Sequence, residues 1–319
     1  MAILIDPPAW PAHGTLWSHL ISDSGYDELH AFARRLGVPR RGFDLDHYDV
    51  AASLYERAIA LGARPVSGKD VVHALLGSGL RVRQAERPVV TPVRRRQFLI
   101  AEWAGLGALI SADSSRVSAE DWLRLGENLV TRWNEPHRSY HDERHLEDVL
   151  LALDHLAVRG ERVSPVTLLA AWFHDAVYTG ATGAEAGGDE FASAHLATGS
   201  LAALGLDPAL VRQVGEFIVA TTPAREVRDP APPLAHLLDA DLSIFAASPH
   251  RYQQYTEAVR LEYAHVPEPD FASGRSRILS AYLDQPAIYR TGTAQQLWEQ
   301  RARENVGAEI ERLRGAAAE

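Results

Sequence analysis

At 319 residues the chain is about twice a typical single domain, so two folding units are expected, each long enough to bury a core. Hydrophobic residues at 46% and charged ones at 23% exclude a mostly disordered chain, and a formal charge of −10 disfavours nucleic-acid backbone and anionic lipid. The absence of cysteine excludes disulfides, thiolate metal sites and cysteine nucleophiles, which leaves His and carboxylate side chains for any metal.

The opening MAILIDPPAW lacks a basic segment followed by a long apolar one, and no later run reaches the length of a membrane span, so a cytoplasmic protein without membrane contact is expected. Ile3, Leu4 and Ile5 read as a strand ended by Asp6, Pro7 and Pro8. Helical periodicity follows in DELHAFARRLG (27–37), VAASLYERAIALGA (50–63) and GKDVVHALLGSG (68–79), with a short extended piece over 64–66. Each helix is closed by glycine. The stretch ERPVVTPVRRR, 86–96, joins two prolines to strong charge and breaks the surrounding periodicity, which places a linker there. The expected organisation is α+β: a small α/β domain over 1–88 and an all-α domain over 97–319. In the second half Ser118 and Ser164 are expected helix starts, and Gly160, Gly205 and Pro249 expected stops. GAEAGGDE, 183–190, reads as a flexible connection.

Four residues of this half combine into a candidate site: His145, the adjacent His174 and Asp175, and Asp241. A His-Asp dipeptide alone is weak, but this one ends an apolar segment, Thr167–Tyr178, that reads as a buried helix. An unpaired carboxylate buried there costs several kcal/mol, so it calls for a cation or strong donor. Leu234, Leu237, Leu238, Asp241 and Phe245 share one helical face, and His141, His145 and Val149 share another, so both sets point inward. Any one of these residues, taken singly, is most simply a core polar group satisfied by a protein hydrogen bond. Together, two His and two Asp on three helices make a site for a divalent ion such as manganese, iron, magnesium, cobalt, nickel or zinc.

The order H, HD, D, with 29 residues from His145 to His174 and 66 from Asp175 to Asp241, resembles the HD superfamily of metal-dependent phosphohydrolases. Tyr140-His141 with His145, and Ala240-Asp241-Leu242-Ser243, resemble the corresponding strings of cyclic-nucleotide phosphodiesterases in that superfamily. The stretches RWNEPHRSYHDERHLEDVL, AAWFHDAVY, DEFASA, LLDADLSIF and VRLEYAHVP are similar to a bacterial group of predicted HD phosphohydrolases, over roughly Arg94–Leu313. The resemblance implies an all-α HD fold, with His145, His174, Asp175 and Asp241 as metal ligands and His141 as general acid. Asp175 would then be placed to bridge a second ion, with Glu190 of DEFASA beside it. Many HD proteins carry a further histidine before the last Asp, expected after the Ala-Thr of IVATTPAREV. Ala224 and Arg225 stand there, and helical phase supports neither His195 nor His236 as a substitute.

Phosphoryl charge calls for arginine, with Arg144, Arg260 and Arg275 as candidates, and Asp142 or Asp148 is placed to orient His141. The implied function is hydrolysis of a phosphate ester of a nucleotide or small metabolite by metal-activated water. A di-iron oxygenase needs more histidine ligands than the sequence offers. A metal-binding, ligand-sensing or nucleic-acid-associated module without turnover remains the alternative from another class.

The first part, through ILIDPPAWPAHG, WSHLISD, ELHAFARRLGVPRRGFDLDHYDV and GARPVSG, resembles a small domain of unknown function that also occurs alone. His19, Asp23, His30, Asp46, His47 and Asp49, with Asp6 at the end of the first strand, are candidates for a second metal or ligand site, or for ordinary turn and loop capping. With Arg34, Arg35, Arg40 and Arg41 nearby in sequence, binding of a nucleotide or nucleic acid is the alternative for this domain, and nucleic acid, disfavoured by the overall charge, is expected through it alone if at all.

Overall fold

Residues 2–12, 15–111, 117–180, 188–223 and 227–316 are described by the computed structural model. Chain contacts divide into two units, Met1–Arg94 with Ala157–Gly160, and Arg95–Leu156 with Glu161–Glu319. The first carries a mixed sheet and the second is helical, so the chain is α+β.

In the first unit β1 (Ile3–Ile5), β2 (Trp10–Ala12), β3 (Thr15–Ser22), β4 (Tyr48–Ala51) and β5 (Arg64–Pro65) form one sheet. The long β3 runs antiparallel to β1, β2 and β4, and β5 joins β1 in parallel. Three helices belong to this unit: α1 (Tyr26–Leu36), α2 (Tyr55–Ala60) and α3 (Gly68–Ser78). Because strand side chains alternate, neighbours such as Leu4 and Ile5, or Leu20 and Ile21, serve opposite faces. Ile5, Leu20, Tyr48 and Val50 pack with Leu29, Phe32 and Leu36 of α1, while Leu4 and Ile21 pack with Val71 and Leu75 of α3. Gly37, at φ 86°, closes α1 in the left-handed conformation, where a Cβ would clash with the backbone. The helix expected over 50–63 is shorter, because Val50 and Ala51 pair with Ser18 and Trp17 in the β3–β4 ladder and Ala52–Leu54 form a 3-10 turn.

The helical unit contains α4 (Arg87–Ser111), α5 (Ala119–Trp133), α6 (Glu143–Val158), α7 (Pro165–Phe173) and α8 (Gly188–Ala203). Then follow α9 (Pro208–Ala220), α10 (Pro232–Asp241), α11 (Pro249–Glu262), α12 (Glu268–Leu283) and α13 (Gly292–Ala316). Among the described residues it has no strand, and no described helix is long and apolar enough to cross a membrane. The apolar α7 buries Leu169 through Phe173 and packs against α8, α9 and α10, so its C-terminal end lies inside the core. Ser118 and Ser164 cap α5 and α7 through their hydroxyls, as expected.

Two further expectations fail. The 86–96 linker is largely helix: α4 begins at Arg87 and passes through Pro92, and the division between the units falls inside it. Pro88 sits in its first turn, where a missing N–H costs nothing, so a single interior proline is the only interruption. Pro249 starts α11 rather than stopping a helix. Of the connection at 183–190, residues 183–187 lie outside the described residues and Gly188–Glu190 open α8.

The α4–α5 pair is held by a reciprocal tryptophan clasp. The indoles of Trp103 and Trp122 stack at 4.2 Å and 8°, and each Nε1–H donates to the other residue's carbonyl, at 2.7 and 2.8 Å. The room comes from Gly107 and Gly126, one helical turn beyond each tryptophan: a Cβ on Gly126 would lie 2.2 Å from Trp103 Cδ1.

Candidate metal centre

Three backbone ends bring the donors together. Asp142 begins α6 by accepting from the N–H groups of Arg144 and His145, at 2.8 and 3.3 Å, and the buried His145 faces inward with Val149 and Leu153. His174 and Asp175 follow the last turn of α7, and Asp241 is the last residue of α10. The buried Arg138 guanidinium donates to the carbonyls of His141, Asp175 and Ala176 and lies over the rings of Trp133 and Tyr178, tying the approach to α6 to the His-Asp turn. Trp133 is fully buried, donates to the Trp172 carbonyl at 3.1 Å, and sets its ring 5.4 Å from that of His174 and 6.1 Å from that of His145.

His174 Nδ1 is 2.8 Å from the Ala171 carbonyl, which assigns a proton to Nδ1 and leaves Nε2 to take either a second proton or a cation. That Nε2 lies 3.0 Å from His145 Nε2. Asp241 Oδ1 is 3.2 and 3.6 Å from the two ring nitrogens, and Asp175 Oδ2 is 3.7 and 3.4 Å from them. Burial works against a charged His174, yet Asp175 and Asp241 outweigh it and raise its pKa to about 9. Burial also opposes a charged Asp241, but hydrogen bonds from His145 and His174 hold its carboxyl well below the usual range. The pocket therefore demands positive charge. A proton satisfies one nitrogen–oxygen pair, whereas a divalent ion satisfies two imidazoles and two carboxylates together, and the donor set fits manganese, iron, magnesium, cobalt, nickel or zinc.

His141 stands beside this cluster, with Nε2 4.0 Å from Asp175 Oδ2. Its Nδ1 is 2.7 Å from Glu262 Oε2, which also accepts from the Tyr178 hydroxyl at 2.9 Å. The other oxygen of Glu262 accepts from three successive amides, Ser139, Tyr140 and His141, at 2.8, 2.7 and 3.0 Å. Burial alone would raise the Glu262 pKa, but His141 and these amides lower it to about 2. For His141 burial is again opposed by Glu262 and Asp175, and the net shift is upward.

Glu262 orients His141 in place of both aspartates expected to do so. Asp142 is a helix cap, and Asp148 pairs with Arg251 at 2.7 Å. The signal existed: Tyr252, Tyr255, Val259 and Glu262 follow one buried face of α11. Among the arginines, Arg260 is engaged by Glu268 and two carbonyls, and Arg275 by Glu309 and Tyr255. Arg144 is half-buried and forms no ion pair among the described residues; Arg251, Asp148, Arg95 and Asp142 are the charges that reach it. Glu190 is half-buried, and burial with the Asp175 charge raises its pKa. His195 is exposed, while the buried His236 bonds Glu161 at 3.0 Å, so neither joins the cluster. Ala224 and Arg225 lie outside the described residues.

A cavity of about 410 Å³ has Asp241 in its wall, together with Thr221, Leu238, Arg228, Tyr282 and Arg290. The Nε of Arg290 is buried there without a hydrogen-bond partner. A larger groove of about 740 Å³, between α8 and α9, contains none of the cluster.

In the sheet-bearing unit, Asp6, His19, Asp46, His47 and Asp49 converge on one another. His30 instead bonds the Tyr48 hydroxyl at 2.9 Å, with its pKa lowered to about 3 by burial and by Arg40 and Arg94, and Asp23 accepts the Ala2 amide at 2.7 Å.

Comparison with known proteins bears on this first unit only. No curated protein matches the chain significantly. A family model described as "Protein of unknown function (DUF4031)" matches residues 3–78, which span the sheet and its three helices.

Proposed function

We propose that the helical unit is a metal-dependent phosphohydrolase of the HD superfamily, cleaving a phosphate ester of a nucleotide or small metabolite. The observation that carries this reading is the convergence of His145, His174, Asp175 and Asp241 beside a histidine, His141, held by a buried carboxylate. A divalent ion held there supplies Lewis acidity and lowers the pKa of water toward neutrality. The chain's own residues supply the rest. Glu262 fixes the His141 ring through Nδ1, so the Nε2 proton faces the cluster and is available to a leaving oxygen. Arg228 and Arg290 stand in the wall of the adjoining cavity, Arg290 with Nη1 4.0 Å from the buried Asp239, and Leu238 and Tyr282 give it apolar wall. Its volume of about 410 Å³ is in the range that encloses a small organic ligand.

The test uses the full-length chain, elemental analysis and a screen of phosphorylated metabolites with each candidate ion. Asp175→Ala and Asp241→Ala should release the ion bound in the helical unit. His141→Ala should retain it and lose turnover by about 10²-fold or more. Wild-type protein that binds no ion through these residues would sink the reading. A His141→Ala variant that loses metal as readily as His145→Ala would make His141 a ligand instead of an acid. Metal binding without turnover on any phosphate ester would make the unit a ligand sensor.

A further inference from the structure

We propose that the sheet-bearing unit holds a divalent metal ion of its own, bound by His19, His47 and Asp49 and presented to solvent. The β3–β4 register places His19 directly opposite Asp49, and His47 lies two residues before Asp49. With a side-chain period of two, all three project from the same face. Their neighbours Leu20, Tyr48 and Val50 take the opposite face, in the core beneath α1.

The two imidazoles are aimed by buried carboxylates. Asp6, 3% exposed, accepts from His19 Nδ1 at 2.9 Å with one oxygen and from the His19 amide at 2.5 Å with the other. Asp46, 1% exposed, accepts from His47 Nδ1 at 2.7 Å, and its second oxygen takes the Val82 amide at 2.8 Å and Arg81 at 3.2 Å. Each carboxylate thus has its own donors and fixes one ring with the proton on Nδ1. The Nε2 atoms are turned away from these carboxylates, on rings whose centres are 5.0 Å apart. Asp49 Oδ1 lies 3.5 Å from His47 Nε2, and one ligand atom from each of the three residues falls within 4.8 Å of the others.

Two ring nitrogens and a carboxylate oxygen therefore meet on one face, each able to give a lone pair to a cation. A cation completes the arrangement. A carboxylate behind each histidine is also how proteins orient metal-binding imidazoles and raise their basicity. Two imidazoles and one carboxylate suit zinc or a neighbouring first-row divalent ion and leave coordination positions open. Those positions face outward: Asp49 is half exposed, and Trp10, 58% exposed, sets its ring 5.4 Å from His19.

The test is a cobalt(II) titration of metal-stripped, untagged full-length protein, followed by visible absorption, with zinc dialysis for stoichiometry and circular dichroism for folding. Wild type should bind two ions per chain. Asp49→Asn and His47→Ala should each bind one fewer, and Asp46→Asn should weaken that ion about 10- to 100-fold. Asp49 is exposed enough that its variant should fold even if His47→Ala does not. Asp241→Asn should remove the other ion alone, so if the helical cluster binds nothing, wild type shows one ion and His47→Ala none. Unchanged stoichiometry in folded Asp49→Asn and His19→Gln would overturn the proposal.

Discussion

Glu262 gathers five donors: three amides, His141 and the Tyr178 hydroxyl. Its carboxyl, lowered to about 2, lies below the unfolded value near 4.3, so its contribution to stability is complete above about pH 4.3 and is lost as pH falls toward 2. Glu262→Gln should therefore cost more stability at pH 7 than at pH 3, measured by urea unfolding. An equal cost at both would show that the ionised carboxylate is not what the amides hold. This residue also marks how far side chains can be read from sequence. Asp241 is legible as a carboxylate in an apolar stripe, and Glu262 occupies an equivalent stripe on α11. That its carboxylate reaches amides 121 to 123 residues away depends on helix placement, which periodicity does not carry.

The clasp between α4 and α5 turns two small residues into structural requirements. At Gly126 the gain of about 1 kcal/mol from replacing glycine by alanine in a helix is opposed by overpacking of about 1–3 kcal/mol, because the Trp103 indole must leave its stack and its hydrogen bond. Gly126→Ala should lower the melting temperature. Gly105→Ala, on the neighbouring helix with nothing near its added Cβ, should raise it. The same direction of change in both would refute the clasp as the cause. Tryptophan with glycine four residues on occurs in both helices and is visible in the sequence, but their mutual contact is not. The 86–96 stretch shows the opposite limit: its prolines and charges resemble a linker locally, yet the apolar face of α4 that buries Leu99, Trp103 and Leu106 continues the helix.

At the scale of the molecule, the change from period-two strands to helical periodicity gave the two units, while their boundary was less legible because it falls inside one helix. A chain beginning at Gln97 discards the first ten residues of α4, including Arg95, which bonds Glu147 at 2.7 Å. A chain beginning at Arg87 keeps them. Residues 87–319 should fold, hold the His145–His174–Asp175–Asp241 ion and retain turnover, with a higher melting temperature than residues 97–319. Melting curves, metal content and turnover of the two chains check this. A folded, metal-bound 87–319 that hydrolyses nothing the full chain hydrolyses would assign part of the chemistry to residues before Arg87.

Trp133 is an indole sealed from water with its ring against both candidate imidazoles. Light emitted from so dry an environment lies at the blue edge of tryptophan fluorescence. An ion with a partly filled d shell, such as cobalt or nickel, quenches an excited indole at this range, whereas closed-shell zinc or magnesium leaves it bright. If the proposed ion sits there, the emission lost on Trp133→Phe gauges which kind it is, the other six tryptophans being common to both chains.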